Sequence, residues 1–317
     1  VRIGLAFLVG VVFAGAACKP PPDTSTIEDP HGPVSWTPGT WNVVWQDEFE
    51  GPAGTPPDPT KWAHALGGDG WGNKELQYYT DSPSNAALDG EGHLVITARR
   101  ETYETNAYTS ARLTTKGLFS QAYGRFEARL KLARGLGLWP AFWILGDDFD
   151  RVGWPTCGEM DIVEEKGSAP MRVSSSLHGP STTPVDVPVS QDVALPTGAD
   201  ADFHDYAVEW DPDDIVFLVD GKPTFQITPA RRPLKYAPWV WNHPFHMILN
   251  LAVGGLFPGP PDDTTPFPAT IQADWVRVSV RAGDGGATND AADRETVDAG
   301  ADAVASDQND LDVATGD

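Results

Sequence analysis

Residues 122–132, AYGRFEARLKL, alternate almost without interruption. Phe126, Ala128, Leu130 and Leu132 fall on one side of an extended chain, with Tyr123, Arg125, Glu127, Arg129 and Lys131 on the other. Successive side chains of a strand point to opposite faces, so this period predicts a sheet with one buried and one wet face. Its basic residues are then solvated or paired across strands. Working outward, strands are expected at 41–49, 93–99, 138–145, 158–164, 171–178, 205–210, 215–219, 246–253 and 270–280. The segment 211–225, DPDDIVFLVDGKPTF, reads as a hairpin turning at Asp220 and Gly221. Stretches 51–61, 198–202 and 257–268 are expected to be loops, the first and last because proline and glycine crowd them. No long stretch has helical periodicity and no repeat recurs at a solenoid period, which leaves an all-β sandwich or jelly roll.

One of these strands carries an unusual load. Within 139–165, WPAFWILGDDFDRVGWPTCGEMDIVEE, the acids Glu159, Asp161 and Glu164 lie among Met160, Ile162 and Val163. Strand alternation places Glu159 and Asp161 on one face and Glu164 on the other, and a one-residue bulge between Asp161 and Glu164 would return Glu164 to the shared face. Two carboxyl groups about 5 Å apart can divide retaining glycoside hydrolysis between them, one attacking the anomeric carbon and one protonating the departing oxygen. Asp161 between them would share a proton with Glu159 or hold its orientation, and its charge would spread the neighbouring pKa values. The plainer alternative is a solvated acidic strand, which would have no use for the indoles and methionine beside it. Glu165, one residue on, belongs to the opposite face. The loop 67–80, GGDGWGNKELQYYT, brings Trp71, Asn73, Glu75, Gln77, Tyr78 and Tyr79 together and reads as lining a site, with Tyr78 and Tyr79 alternatively strand residues at its rim.

With 317 residues, 40% of them apolar, the chain can bury a large single core. Its twelve Trp exceed the needs of packing, and indole faces are platforms for the apolar faces of sugar rings. A net charge of −23 excludes nucleic acid and anionic lipid surfaces as general partners and favours a neutral ligand. Two cysteines make no disulfide framework. Residues 1–17 read as a secretory signal, and Cys18 after Gly15, Ala16 and Ala17 is similar to a bacterial lipoprotein cleavage box. The expected organisation is a signal at 1–17, a proline-rich tether at 18–40 attached to a membrane through lipid on Cys18, a catalytic domain at 41–280, and an acidic disordered tail at 281–317. The irregular Asp spacing of that tail does not make a calcium cage. Location outside the cytoplasm, lipid-anchored or secreted, and a monomeric state are expected.

At WPAFWIL and GEMDIVEEKG the chain resembles the laminarinase-like branch of glycoside hydrolase family 16, endo-acting β-1,3-glucanases. WGNKELQYYT, YGRFEARLKL, LHG, FHDYAVEWDPDDIVFLVDGKP, HMILNLAVGG and DWVRVSV extend the resemblance over about 41–280. It implies a concanavalin-like β-jelly roll of two curved antiparallel sheets with a cleft across the concave face, and a β-glucan polysaccharide as substrate. It also implies Glu159 as nucleophile, Asp161 as its helper and Glu164 as general acid and base. Trp139 and Trp143 resemble residues shaping the sugar site, and Asn73 and His178 polar groups near the cleft. No cofactor is required; Glu48, with backbone oxygens at Gly92 and Asp274, resembles a structural calcium site of some relatives. Val163 departs from the Met common in the motif, and Cys157 is expected to be a small buried hydrophobe. The same machinery on mixed-linkage glucan or a galactan, transglycosylation, and a non-catalytic carbohydrate-binding protein are the alternatives.

Overall fold

The fold is taken from a computed structural model that describes residues 34–180, 188–230 and 238–283. The signal, Cys18, most of the tether and the tail beyond 283 lie outside the described residues. In chain order the strands are β1 (Trp41–Asp47), β2 (Ala63–His64), β3 (Gln77–Tyr79), β4 (Ala86–Leu88), β5 (Leu94–Ala98), β6 (Tyr108–Ser110), β7 (Arg112–Thr114), β8 (Gly124–Lys131) and β9 (Leu138–Gly146). A helical turn, α1 (Phe149–Val152), precedes β10 (Glu159–Glu164), β11 (Arg172–His178), β12 (Val189–Ala194) and β13 (His204–Asp211). β14 (Asp214–Val219), β15 (Lys222–Ile227), β16 (Phe245–Val253) and β17 (Ala269–Arg281) complete the series.

These strands form two facing antiparallel sheets. One runs β15-β14-β13-β8-β17-β5-β4 with β1 also on β17, the other β12-β11-β10-β9-β16-β7-β2. β3 and β6 make a separate parallel pair. In β8 the alternation becomes burial: Phe126, Ala128 and Leu130 are fully buried, and beside them lie Val208 and Tyr206 of β13 and Val278 and Val276 of β17. Each fully buried large side chain of this kind contributes about 1.5–3 kcal/mol. On the outer face the arginines pair across strands, Arg125 with Glu209 and Arg129 with Asp205 and Asp274, and Arg125 also with Glu127 of its own strand. The hairpin turn needs positive φ at both central residues, and Asp220 (φ 50) and Gly221 (φ 69) supply it.

In the second sheet β16 lies between β9 and β7 and buries all nine of its residues. Phe245, Met247, Leu249, Leu251 and Val253 enter the core between the sheets, while His246, Ile248, Asn250 and Ala252 alternate onto the other face. That face is therefore covered by neighbouring side chains, which makes it the floor of a site.

The folded part begins earlier than the tether reading places it. Val34 and Trp36 pack on Ala207, Val216 and Leu218, on the outside of β13 and β14. Trp36 Nε1 donates to Glu209 Oε2 (2.6 Å), and the Ser35 main chain exchanges two hydrogen bonds with the Gln226 side chain (2.8 and 3.1 Å). A single apolar pair in a proline-rich context carries no period, so sequence pattern does not reveal this strap.

Candidate active site

The phase problem of the acidic strand is solved by its register against β9. Glu159 lies opposite Leu145, Asp161 opposite Trp143 and Glu164 opposite Ala141, with a register shift between Asp161 and Val163. Leu145, Trp143 and Ala141 are alternate residues of a regular strand, so the three acids share one face. The extra residue leaves Ile162 and Val163 both buried in the core beside Met160.

Each acid has its own surroundings. Glu164 is buried and accepts a hydrogen bond from Trp139 Nε1 at 2.9 Å. Burial, then the Asp161 charge, push its carboxyl up to about 8, against the opposing pull of His178, Trp139 and Ser176. Glu159 accepts from Trp154 Nε1 through Oε2 (3.1 Å), and its Oε1 lies 3.9 Å from His178 Nε2. Burial and the Asp161 carboxylate raise Glu159 as well, while His178 and Arg112 favour its charged form. Asp161 is buried and faces His178 Nε2 at 3.1 Å. Two carboxyl groups of different environment on one face, one held protonated near neutrality, are what acid-assisted nucleophilic substitution at an acetal requires.

The floor continues over β16 and β7. Trp143 Nε1 donates to Asn250 Oδ1 (2.8 Å), whose Nδ2 donates to the Tyr79 hydroxyl (3.0 Å), which in turn donates to Glu75 Oε2 (3.1 Å). The Arg112 guanidinium stands between two indoles, 4.6 Å from Trp71 and 4.7 Å from Trp143. Loop 67–80 thus meets the sheet through a buried carboxylate and a cation sandwiched by aromatic faces. At the Glu164 end, Trp139 packs on Phe257 at 5.1 Å, and Lys166 Nζ lies 4.6 Å from the Phe257 ring. Gly255 allows that approach: at φ +104, a Cβ there would stand 3.2 Å from Asn73 O and 3.3 Å from the Trp139 ring.

Of the residues singled out from sequence, Glu159, Asp161, Glu164, Trp139, Trp143 and His178 are brought to this one face. Asn73 is at its rim, donating to Glu75 Oε1 (3.3 Å) and accepting from the Leu256 amide (2.9 Å). Glu48, Gly92 and Asp274 belong to the other sheet and its loops. Both Glu48 oxygens accept from Arg277 (2.8 and 2.7 Å), and Asp274 pairs with Arg129 at 3.1 Å. Of the expected calcium set, the Glu48 carboxylate with main-chain oxygens at Gly92 and Asp274, the one side-chain member is engaged by Arg277 in this arrangement. Cys157 is buried and free, and its thiol is pushed up to about 12 by burial, Glu159 and Asp148, which makes it inert.

Trp154, Arg112 and Asn250 also belong to the site, and for Trp154 and Arg112 no motif or period in the sequence singles them out. Trp154 sits in the irregular return from α1, and Arg112 in a three-residue strand. A strand-face count along β16 could have found Asn250, a polar residue in an otherwise apolar run.

Known proteins are similar to this chain in sequence and fold. The sequence profile of glycosyl hydrolases family 16 matches residues 73–277. A β-glucanase of Rhodothermus marinus is 42% identical over 247 residues, covering 75% of this chain and 85% of that protein. A glucan endo-1,3-β-glucosidase of Cryptopygus antarcticus is 37% identical, covering 75% of this chain and 88% of that protein. The X-ray structure of an endo-β-1,3-glucanase from Pyrococcus furiosus superposes with a TM-score of 0.71 at 39% identity, covering 77% of this chain and 96% of that one. With the profile, two relatives and a solved structure in agreement over the two-sheet region, the chain belongs to glycosyl hydrolases family 16.

Proposed function

We propose that the protein is an endo-acting β-1,3-glucanase that cleaves with retention of anomeric configuration. The observation that carries this reading is the one-residue bulge of β10, which turns Glu159, Asp161 and Glu164 onto one face beside Trp139, Trp143 and Trp154. A glucan chain lies across the indoles. Glu159 attacks the anomeric carbon and forms a glycosyl-enzyme, while Glu164 gives its proton to the departing oxygen; water activated by Glu164 then releases the sugar with its configuration restored. Asp161 and His178 hold Glu159 in line. The relatives named for β-1,3-glucan favour that linkage over mixed-linkage glucan or galactan. Outside the cytoplasm the enzyme would work as a monomer, held to a membrane by lipid on Cys18 or released.

The test is incubation of the full chain with laminarin, lichenan and agarose, following product sizes and the first-formed anomer by proton NMR. Laminarin should yield intermediate oligosaccharides bearing the β-anomer before mutarotation. First-formed α-anomer, or laminarin retained without new reducing ends, would end the assignment.

The Trp139 hydrogen bond sets a second expectation. Its donor stabilises the charged form of Glu164, so Trp139→Phe should move the alkaline limb of the kcat/KM profile, wherever the wild type places it, upward. A hydrogen bond of ordinary strength corresponds to about half a pH unit to one unit. A downward shift would exclude Glu164 as the group that must be protonated.

A further inference from the structure

The carboxylates and the imidazole at the cleft floor have a second property that glycoside chemistry does not use. Glu159, Asp161 and His178 can each offer one carboxylate oxygen or ring nitrogen, and these atoms lie within 4.8 Å of one another. The imidazole nitrogen is 3.1 Å from the aspartate oxygen and 3.9 Å from the glutamate oxygen. Donors held about 2.0–2.2 Å from a tetrahedral ion stand roughly 3.3–3.6 Å from one another, a spacing that the two distances to the imidazole bracket.

Asp161 is 4% exposed, and its buried Oδ2 makes no well-formed hydrogen bond among the described residues although His178 Nε2 stands 3.1 Å from it. Its polar neighbour is that imidazole nitrogen, which the Glu159 carboxyl also approaches, so the three groups converge. On Glu159 the Trp154 indole takes Oε2, which leaves Oε1 on the His178 side. Trp154 itself is 47% exposed and Glu159 partly so, and an ion can therefore reach the group from the cleft.

The geometry points to a binding site for a borderline-soft divalent transition ion, zinc above all, formed by Glu159, Asp161 and His178 and exclusive of substrate. Two carboxylates and one neutral imidazole supply a charge of −2, and the cleft leaves a fourth position to water. The imidazole selects zinc, copper or nickel over magnesium and calcium, which prefer all-oxygen shells. The ion would bind the oxygen assigned to attack the anomeric carbon and so inhibit turnover. That inhibition rests on the function proposed above; the binding does not.

Zinc sulfate is titrated calorimetrically into the full chain and into its His178→Ala variant, with magnesium as a parallel titrant. A zinc site that His178→Ala weakens by about tenfold or more, and that magnesium does not fill, is the expected result. Carboxylates elsewhere, including those of the acidic tail, persist in the variant and set its residual binding. Should the variant not fold, zinc-edge X-ray absorption of the wild type decides, and one imidazole nitrogen with oxygen neighbours is expected. Wild-type protein that binds no zinc, a variant that binds it unchanged, or a spectrum without imidazole overturns the inference. A chain that binds zinc through His178 yet cleaves no glucan would sink the proposed activity alone, and an active glucanase without this site would sink the metal alone.

Discussion

Glu159→Gln should fold as the wild type does and lose about 10⁴-fold or more of its turnover on laminarin, read as new reducing ends. The amide has the shape of the carboxyl and can still accept from Trp154 Nε1, so the geometry of the cleft floor survives. It cannot attack the anomeric carbon, so no glycosyl-enzyme forms. It also removes a buried group whose charge is opposed by burial and by Asp161, and stability in urea should be equal or greater. Exchanging the two glutamates for alanine separates their roles. With a substrate carrying a good leaving group, added azide can occupy the space vacated by Glu159 and attack once, giving an α-glycosyl azide. In Glu164→Ala the enzyme still forms its intermediate and azide replaces water, giving the β-product. Glu159→Gln activity within tenfold of wild type, or azide products of the reverse configuration, would refute the assignment of roles.

The acids were legible in the sequence because strand alternation is strict. Glu159 and Glu164 differ by an odd number, so either a bulge exists or the two acids cannot cooperate, and the register against β9 contains that bulge. The sheets were legible for the same reason wherever a strand has one apolar face, as in β8, or is almost wholly apolar, as in β9 and β16. Short strands such as β2, β4, β6 and β7 escaped, because two or three residues hold no period. The docking of 34–36 escaped too, since a Trp contacting an outer sheet face looks like any Trp in a tether. Arg112 shows the limit most plainly. Its neighbours Trp71 and Trp143 are distant in the chain, and only the pairing of β7 with β16 and of β16 with β9 brings the guanidinium between their rings.

Glu165→Gln should stabilise the protein by roughly 3 kcal/mol at pH 7 and by almost nothing near pH 4. Glu165 follows the proposed general acid and turns to the opposite side of the sheet, where it is fully buried and neither carboxyl oxygen has a hydrogen-bond partner among the described residues. From the facing sheet, the Tyr206 hydroxyl is also buried and without one. Burial first, then the charge of Asp200, push Glu165 from 4.5 up to about 9. A carboxyl raised on folding binds its proton more tightly in the native state than in the unfolded one. Its contribution is therefore complete below pH 4.5 and is lost as pH rises toward 9, at about 1.4 kcal/mol per pH unit. Glutamine keeps the shape and the neutrality without the titration, so its advantage grows with pH. Urea unfolding of the two chains at pH 4, 5, 6, 7 and 8 measures that growth, and other titrations cancel in the difference. A stability difference that stays flat across this range would mean that Glu165 reaches solvent or a cation and is charged in the native protein. Glu165 is absent from the groups that perturb Glu164 or Glu159, so the kcat/KM profile should be unmoved by the same substitution. A profile displaced along with stability would instead tie the core carboxyl to the catalytic one through the backbone that joins them.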